Sequence, residues 1–167
     1  RFLICFIPNP NDECKGTLKL RPGLIDFLSA VREKYEIITF TSATKEYADP
    51  IEDSIEQKDK YFDARLYRHH TIIYENDFVK DIKRIGRPLS KIIIVDNMPQ
   101  NFRLQKENGI NIKAFWGEDV NDNALEDLGI ILINIAREGG DVRIGLEKYK
   151  DEIVRKVTAN ISKINYQ

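Results

Sequence analysis

The sequence lacks the features that mark a membrane-spanning protein, a secreted disulfide scaffold or a nucleic-acid coat. Its longest apolar run, 129–135, is interrupted by Asn134 and falls far short of the roughly 20 residues that span a bilayer. Two cysteines, Cys5 and Cys14, are too few for a disulfide framework, which favours a reducing location, nuclear or cytoplasmic. The 26 Lys and Arg against 27 Asp and Glu give a net charge of −1, which argues against a nucleic-acid or anionic-membrane partner, since both need a strong positive field.

Methionine is nearly absent as well. Met98 is the single methionine, and the sequence begins with Arg1. Because translation starts with methionine, we expect the 167 residues to be part of a longer chain. Residues 1–7 also lack the basic start, the long apolar stretch and the small-residue cleavage site of a secretory signal. The length suits one domain over 1–167, which at this size buries roughly 70% of the surface that its unfolded chain exposes.

What the sequence does contain is an alternation of apolar, strand-like runs with helical patterns. The predicted strands lie at 2–7, 17–20, 36–40, 64–67, 71–74, 91–95 and 111–115. The predicted helices lie at 22–31, 47–57, 121–128 and, as an amphipathic tail, 143–164. Pro50 is expected to be tolerable only in the first turn of its helix. The alternation predicts an α/β fold, a doubly wound (Rossmann-like) parallel sheet.

Polar side chains stand where these predicted strands end. Thr41 and Ser42 follow one apolar strand, Asp96 and Asn97 follow another, and Lys80 comes after a short hydrophobic stretch between them. In open α/β sheets, ligands bind beyond the carboxyl ends of the strands. A carboxylate beside an amide suits Mg²⁺, and a hydroxyl with a lysine suits the oxygens of a phosphate. Each feature alone is commonly a turn or a cap, but their joint occurrence favours a phosphate site.

Several short motifs follow one another along the chain. They are Phe40-Thr41-Ser42-Ala43, Tyr47-Ala48-Asp49-Pro50, Arg65-Leu66-Tyr67-Arg68, Phe78-Val79-Lys80-Asp81 and Ile94-Val95-Asp96-Asn97, with Arg21-Pro22, Glu107-Asn108-Gly109-Ile110 and Phe115-Trp116 beside them. In this order they resemble the FCP/SCP-like protein phosphatases, also called NLI-interacting-factor-like or CTD small phosphatases, of the haloacid dehalogenase superfamily. The resemblance covers roughly 2–135 and implies the haloacid dehalogenase fold with a small β insertion.

The resemblance also implies an activity and a role for each matching side chain. The activity is Mg²⁺-dependent removal of phosphate from Ser or Thr of a protein segment, such as the C-terminal domain of RNA polymerase II. Thr41 would hydrogen-bond the transferred phosphoryl group, and Lys80 would neutralise its charge. Asp96 and Asn97 would complete the Mg²⁺ site. The residues expected to bind the phosphopeptide are Tyr47, Arg68 and Ser42.

One motif of the family is missing from the sequence. The family carries Asp-x-Asp-x-Thr after a strand, where the first Asp attacks phosphorus and the second acts as general acid and base. Residues 2–7 resemble the segment that follows this motif, so we expect the nucleophile upstream of Arg1. Without it the chain should be inactive and poorly folded, because the missing strand would leave two unpaired edges in the sheet. Met98 stands where relatives usually carry Ser.

Two other functions remain open from the sequence. A non-catalytic binding module on the same fold, like the mitochondrial import receptor relative, is the main alternative. A phosphatase of small molecules is disfavoured by the motifs around Tyr47 and Arg68. A zinc site at His69 and His70 is also disfavoured, because adjacent strand residues point to opposite faces and no further Cys or His completes a tetrahedral set.

Overall fold

The computed structural model describes residues 3–9 and 12–159. The first half contains β1 Ile4–Asn9, β2 Asp12–Leu20, α1 Leu24–Val31, β3 Ile38–Phe40, α2 Lys45–Ile55 and β4 Ala64–Leu66. The second half contains β5 Ile72–Tyr74, β6 Asp77–Val79, β7 Ile94–Asp96, β8 Gly109–Asn111, α3 Ala124–Glu138, α4 Val142–Lys148 and α5 Lys150–Glu152, followed by a π-helix, Ile153–Thr158. Within these residues, no helix is long and apolar enough to cross a membrane.

The strands pair in two ways. β3 runs parallel to β4, with Ile38 opposite Ala64, and β7 runs parallel to β8, with Ile94 opposite Gly109. β1 with β2 and β5 with β6 form antiparallel hairpins, and the second hairpin is the small β insertion expected from the sequence. Because a helical segment connects the strands of each parallel pair, the doubly wound α/β prediction is confirmed. Among the described residues, β3 pairs with β4 alone and β7 with β8 alone.

The core lies where α1 packs against α3. Leu24, Phe27, Leu28 and Val31 are buried on one side of α1 at the spacing of successive helical turns. A Cβ at Gly129 of α3 would lie 3.4 Å from the Phe27 ring, an ordinary van der Waals contact, which shows how closely the two helices approach there. Full burial of each such side chain contributes about 1.5–3 kcal/mol, so this contact carries much of the stability of the fold.

A buried ion pair connects the end of β2 to the start of α3. Arg21 donates from Nε to Asp122 Oδ1 at 3.1 Å and from Nη2 to Asp122 Oδ2 at 2.9 Å. It also donates to the carbonyl of Lys113 at 2.8 Å. Asp122 accepts the backbone N–H of Ala124 as well, and so satisfies one of the free donors at the start of α3. Asn123 is the N-cap residue of α3, but its side chain makes no capping hydrogen bond.

The prediction for Pro50 was wrong. It lies in the second turn of α2, where it has no N–H to donate to the carbonyl of Glu46. Although this backbone hydrogen bond is missing, α2 is stabilised by Arg65 of β4, which ion-pairs with carboxylates along the helix. The partners of Arg65 are Asp49 at 3.5 Å, Glu52 at 3.2 Å, Asp53 at 2.8 Å and Glu56 at 2.6 Å.

Two predicted strands differ from those observed. The run 91–95 enters the ladder only at Ile94, because Asn108 donates its side-chain amide to the carbonyls of Leu89 and Ile92 and holds that stretch in a 3₁₀ turn. The strand predicted at 111–115 is instead Gly109–Asn111. Beyond it, Lys113 donates its N–H to the carbonyl of Val157 in the π-helix rather than to a strand.

The predicted tail helix is interrupted at Tyr149. The backbone there leaves the helical range, at φ −93° and ψ 8°, and the Tyr149 hydroxyl and Lys148 ammonium both donate to Glu138 at the end of α3. Residues 160–164 of the predicted helix lie outside the described residues. His69 and His70 also differ from the prediction, since they lie in a 3₁₀ turn, with ring centroids 4.0 Å apart, rather than on opposite faces of a strand.

Candidate functional site

The loop after β3 is fixed by hydrogen bonds from neighbouring elements. Thr41 donates its N–H to the carbonyl of Leu66 at 2.9 Å, which extends the ladder between β3 and β4 by one step. Its hydroxyl oxygen accepts the N–H of Ala43 at 3.1 Å, a turn of the kind that Thr commonly forms. Since the oxygen is held as an acceptor, the hydroxyl proton remains to be donated. Thr41 therefore presents an O–H donor at the carboxyl end of β3.

At the end of β7, Asp96 is surrounded by donors. Lys80 Nζ lies 2.5 Å from Oδ2, and the Met98 N–H donates to Oδ1 at 2.8 Å. The side-chain amide of Asn101 donates to Oδ1 at 3.1 Å and to Oδ2 at 3.0 Å. Asp96 is 4% exposed and Lys80 is 8% exposed, so this ion pair is largely removed from water. Lys80 is brought there by β6, which ends at the fully buried Val79.

Lys80 also approaches the other parallel pair. Its Nζ lies 5.8 Å from the centre of the Phe40 ring, at the end of β3 and next to Thr41. A cation at that distance from an aromatic face is attracted to it. Lys80 therefore connects the Asp96 end of β7 with the Thr41 end of β3.

A cavity of about 1150 Å³ lies between β3 and β7. Six of the seven predicted site residues line it: Thr41, Ser42, Tyr47, Lys80, Asp96 and Asn97. Glu52 of α2 also lines it, and burial raises the pKa of its carboxyl group above the usual range. The cavity thus combines hydroxyl, ammonium and carboxylate groups with apolar walls.

The seventh residue, Arg68, lies outside this cavity. It lines a second cavity, of about 510 Å³, together with Lys45 and Phe78. Its Nε donates to the carbonyl of Ser42 at 2.6 Å, and its guanidinium lies 5.1 Å from the Phe78 ring centre. Arg68 is therefore attached to the Thr41 loop from the outside.

The motifs at 47–50 and 65–68 contain site residues and also contribute contacts that stabilise the fold. Asp49 accepts the Tyr67 hydroxyl at 2.5 Å and contacts the Lys45 ammonium, and the hydrogen bond from Lys45 lowers the pKa of Asp49. With the Arg65 ion pairs, these contacts hold α2 against β4. Tyr47, by contrast, is 55% exposed on α2 and free to meet a ligand.

Asn101 was missed by the sequence analysis. It lies five residues after Asp96, in the 3₁₀ segment Pro99–Asn108, and its backbone carbonyl accepts the Lys80 N–H at 2.7 Å. Asparagine in a turn is usually a local backbone partner, so the sequence holds no signal for a contact that reaches both Asp96 and Lys80.

The side-chain oxygens of Asp96 and Asn97 fit part of a Mg²⁺ site. Mg²⁺ takes oxygen ligands, and the Asp96 carboxylate and the Asn97 amide supply them at the edge of the cavity. Over the described ranges, no group of three or more His, Cys, Asp or Glu side chains is close enough to hold a metal ion. Any metal bound here would need ligands beyond these side chains, such as water, phosphate or a further carboxylate.

The profile of the NLI interacting factor-like phosphatase family matches residues 2–143. The chain belongs to this family. It is 39% identical over 108 residues to Phosphatase Herzog of Drosophila melanogaster, covering 65% of this chain and 30% of that protein. It is 36% identical over 118 residues to the CTD small phosphatase-like protein of Homo sapiens, covering 71% of this chain and 42% of that protein. The chain thus spans less than half the length of these relatives.

A solved structure shows the same fold. The structure of Fcp1, an essential RNA polymerase II CTD phosphatase, matches with a TM-score of 0.69 over 89% of this chain and 60% of that chain. The sequence identity is 18%, so the likeness establishes the haloacid dehalogenase fold and leaves the reaction to be argued from the site. The resemblance found in the sequence motifs is confirmed by the family match.

Proposed function

We propose that this chain is part of a Mg²⁺-dependent phosphatase that removes phosphate from Ser or Thr of a protein segment. The observation that supports this most is the convergence of Thr41, Lys80, Asp96 and Asn97 on one cavity between two parallel strand pairs. A module that only binds a partner has no need of a lysine and a carboxylate held together in a buried position. Removing such a pair from water costs free energy, so its presence in a buried position favours a functional role.

We propose further that the nucleophile is an Asp on a strand N-terminal to Arg1, inserted between β3 and β7. Both strands line the cavity, and within the described residues each has one partner strand, which supports the insertion of a third strand between them. A strand parallel to both would end beside Thr41 and Asp96. An Asp there would attack phosphorus as the P–O bond to the seryl or threonyl oxygen breaks. The second Asp of the family's motif would give that oxygen a proton, and would then take a proton from the water that hydrolyses the aspartyl phosphate.

The residues of the chain would act on the charge of the phosphoryl group. Thr41 would donate its hydroxyl proton to a phosphoryl oxygen, and Lys80, directly after β6 of the insertion hairpin, would offer a positive charge. Asp96 and Asn97 would hold Mg²⁺, which supplies further charge neutralisation and alignment of the phosphate. In phosphoryl transfer such positioning and neutralisation account for most of the acceleration.

The substrate class in this proposal is a phosphorylated protein segment, such as the repeats of the RNA polymerase II C-terminal domain. Tyr47 offers an exposed aromatic face near the Thr41 loop, suited to an extended, proline-containing peptide. Arg68 offers a planar guanidinium to carbonyl groups or to a second phosphate. We also propose a nuclear or cytoplasmic location, because two cysteines are too few for a disulfide framework.

The test uses the full-length protein with a phosphoserine peptide, a sugar phosphate and Mg²⁺. We expect release of inorganic phosphate from the peptide at a higher kcat/KM than from the sugar phosphate, and loss of activity when Mg²⁺ is chelated. Binding of the phosphopeptide without release of phosphate would instead establish the binding module. Preference for the sugar phosphate would establish the small-molecule phosphatase.

A further inference from the structure

Asn101 contacts both charged residues of the site. Its side-chain amide donates to both oxygens of Asp96, and its backbone carbonyl accepts the N–H of Lys80 at 2.7 Å. Its own N–H donates to the carbonyl of Met98 at 2.9 Å, so the residue is held on three sides. From this geometry we infer that Asn101 is a positioning residue of the site, which fixes the Asp96 carboxylate and the Lys80 backbone relative to each other.

The side chain of Asn101 acts on the rotation of the Asp96 carboxylate. The terminal torsion of aspartate is broad and two-fold, so a carboxylate held from one side can turn. Met98 donates to one oxygen and Lys80 to the other, while the Asn101 amide spans both. The plane of the carboxylate is thereby set before a metal or phosphate arrives. Partners that orient a metal-binding side chain in this way affect metal affinity or activity by ~10–100-fold when they are removed.

The backbone at Asn101 is held by the rest of its 3₁₀ segment. Phe102, next along the chain, departs from helical geometry and is 4% exposed, with its ring over Gly109. A Cβ at Gly109 would come within 2.1 Å of that ring, so Gly is required for the ring to sit there. Gln105 then accepts the Ile82 N–H at 3.2 Å. The segment that carries Asn101 is thus held in place directly after its contact with Lys80.

The inference rests on the proposed function, and its test separates the two. In the full-length protein, Asn101→Leu removes both donors at similar size, and Asn101→Ala is the smaller alternative. Gln100→Leu is the matched control, because Gln100 is the exposed amide one position earlier in the same segment. For each variant we would measure kcat and KM with a phosphoserine peptide, and the dissociation constant of Mg²⁺ by titration calorimetry.

For Asn101→Leu and Asn101→Ala we expect kcat to fall ~10–100-fold, KM for the peptide to stay near that of the parent, and the Mg²⁺ dissociation constant to rise ~10–100-fold. Gln100→Leu should match the parent. Equal kcat and Mg²⁺ affinity in the Asn101 variants and the control would overturn the inference while leaving the phosphatase intact. A parent that binds Mg²⁺ but releases no phosphate would overturn the proposed function, and weaker Mg²⁺ binding by the Asn101 variants would still support the inference.

Discussion

The ammonium of Lys80 lies 2.5 Å from Oδ2 of Asp96, although 16 residues separate the two along the chain. Lys80 arrives on the insertion hairpin and Asp96 on β7, so the pair joins the insertion to the sheet. Both side chains are largely buried, and a buried charge is stable only while its partner is present. The pair therefore holds a positive and a negative charge in a fixed position, in a site from which water is mostly excluded.

We expect substitution of Lys80 and substitution of the proposed Mg²⁺ ligands to change different kinetic quantities. In the full-length enzyme, Lys80→Met should lower turnover ~10²–10³-fold even at saturating Mg²⁺, since it removes a fixed positive charge from the phosphoryl group. Asp96→Ala and Asn97→Ala should instead raise the Mg²⁺ concentration needed for half-maximal rate. Steady-state rates across a Mg²⁺ titration distinguish the cases, with exposed Lys83→Met as the control. Near-normal turnover of Lys80→Met would remove Lys80 from the site.

A second prediction concerns the space between β3 and β7. The chain of residues 1–167 should release no phosphate from an aryl phosphate with Mg²⁺, because the proposed nucleophile lies on the strand that would fill this space. Extending the chain at its N-terminus by its natural preceding sequence should restore turnover, and should make unfolding in urea more cooperative as the strand edges become paired. Activity of 1–167 itself, above that of buffer, would mean that the nucleophile lies within residues 1–167.

The sequence indicated which side chains come together better than it indicated strand lengths. The hydroxyl, lysine and acid-amide groups that follow apolar runs line one cavity, because strand ends in an α/β sheet converge. The run 91–95 was overestimated because β-branched residues favour a strand wherever a partner exists, and here Asn108 takes the carbonyls of Leu89 and Ile92. Asn101 was not found at all, since its contacts join residues through a turn whose geometry no local pattern encodes. Arg68 was grouped with the site, but it reaches the Thr41 loop from a separate cavity.

A third prediction concerns acid stability. Burial acts to raise the pKa of Glu56, but hydrogen bonds from Phe62, Arg65, Tyr61 and Lys60 outweigh it, and the pKa falls from 4.5 to about 2. A carboxyl group with a lowered pKa in the fold stabilises it above the unfolded value of 4.5, and this contribution is lost as the pH falls toward 2.

Glu56→Gln should therefore lower the free energy of unfolding at pH 7 by up to about 3 kcal/mol and have little effect near pH 2. Urea denaturation of the full-length protein between these limits measures the difference, with exposed Glu33→Gln as the control. A loss of the same size at both ends of the range would assign the effect of Glu56 to packing instead of charge.

The last prediction separates peptide recognition from the chemical step. Tyr47 is exposed near the Thr41 loop, while Arg68 holds that loop from outside through the Ser42 carbonyl and lies over Phe78. Neither side chain hydrogen-bonds Lys80 or Asp96 in the part of the chain that the structure describes. In the full-length protein, Tyr47→Ala and Arg68→Ala should therefore lower kcat/KM on a phosphoserine-proline peptide ~10-fold, as expected when an aromatic or arginine anchor worth about 1.4 kcal/mol is removed.

The same two variants should retain nearly full activity on a small aryl phosphate, because it lacks the peptide chain that the two side chains are proposed to bind. Tyr47→Phe and Arg68→Lys refine the test: Phe keeps the aromatic face and should behave as the parent, whereas Lys lacks the planar guanidinium and should not restore the peptide activity. Because Arg68 also fixes the Ser42 carbonyl, a structural role would reduce both activities together. Equal losses on the peptide and the aryl phosphate would thus assign Arg68 to the loop and remove it from substrate recognition.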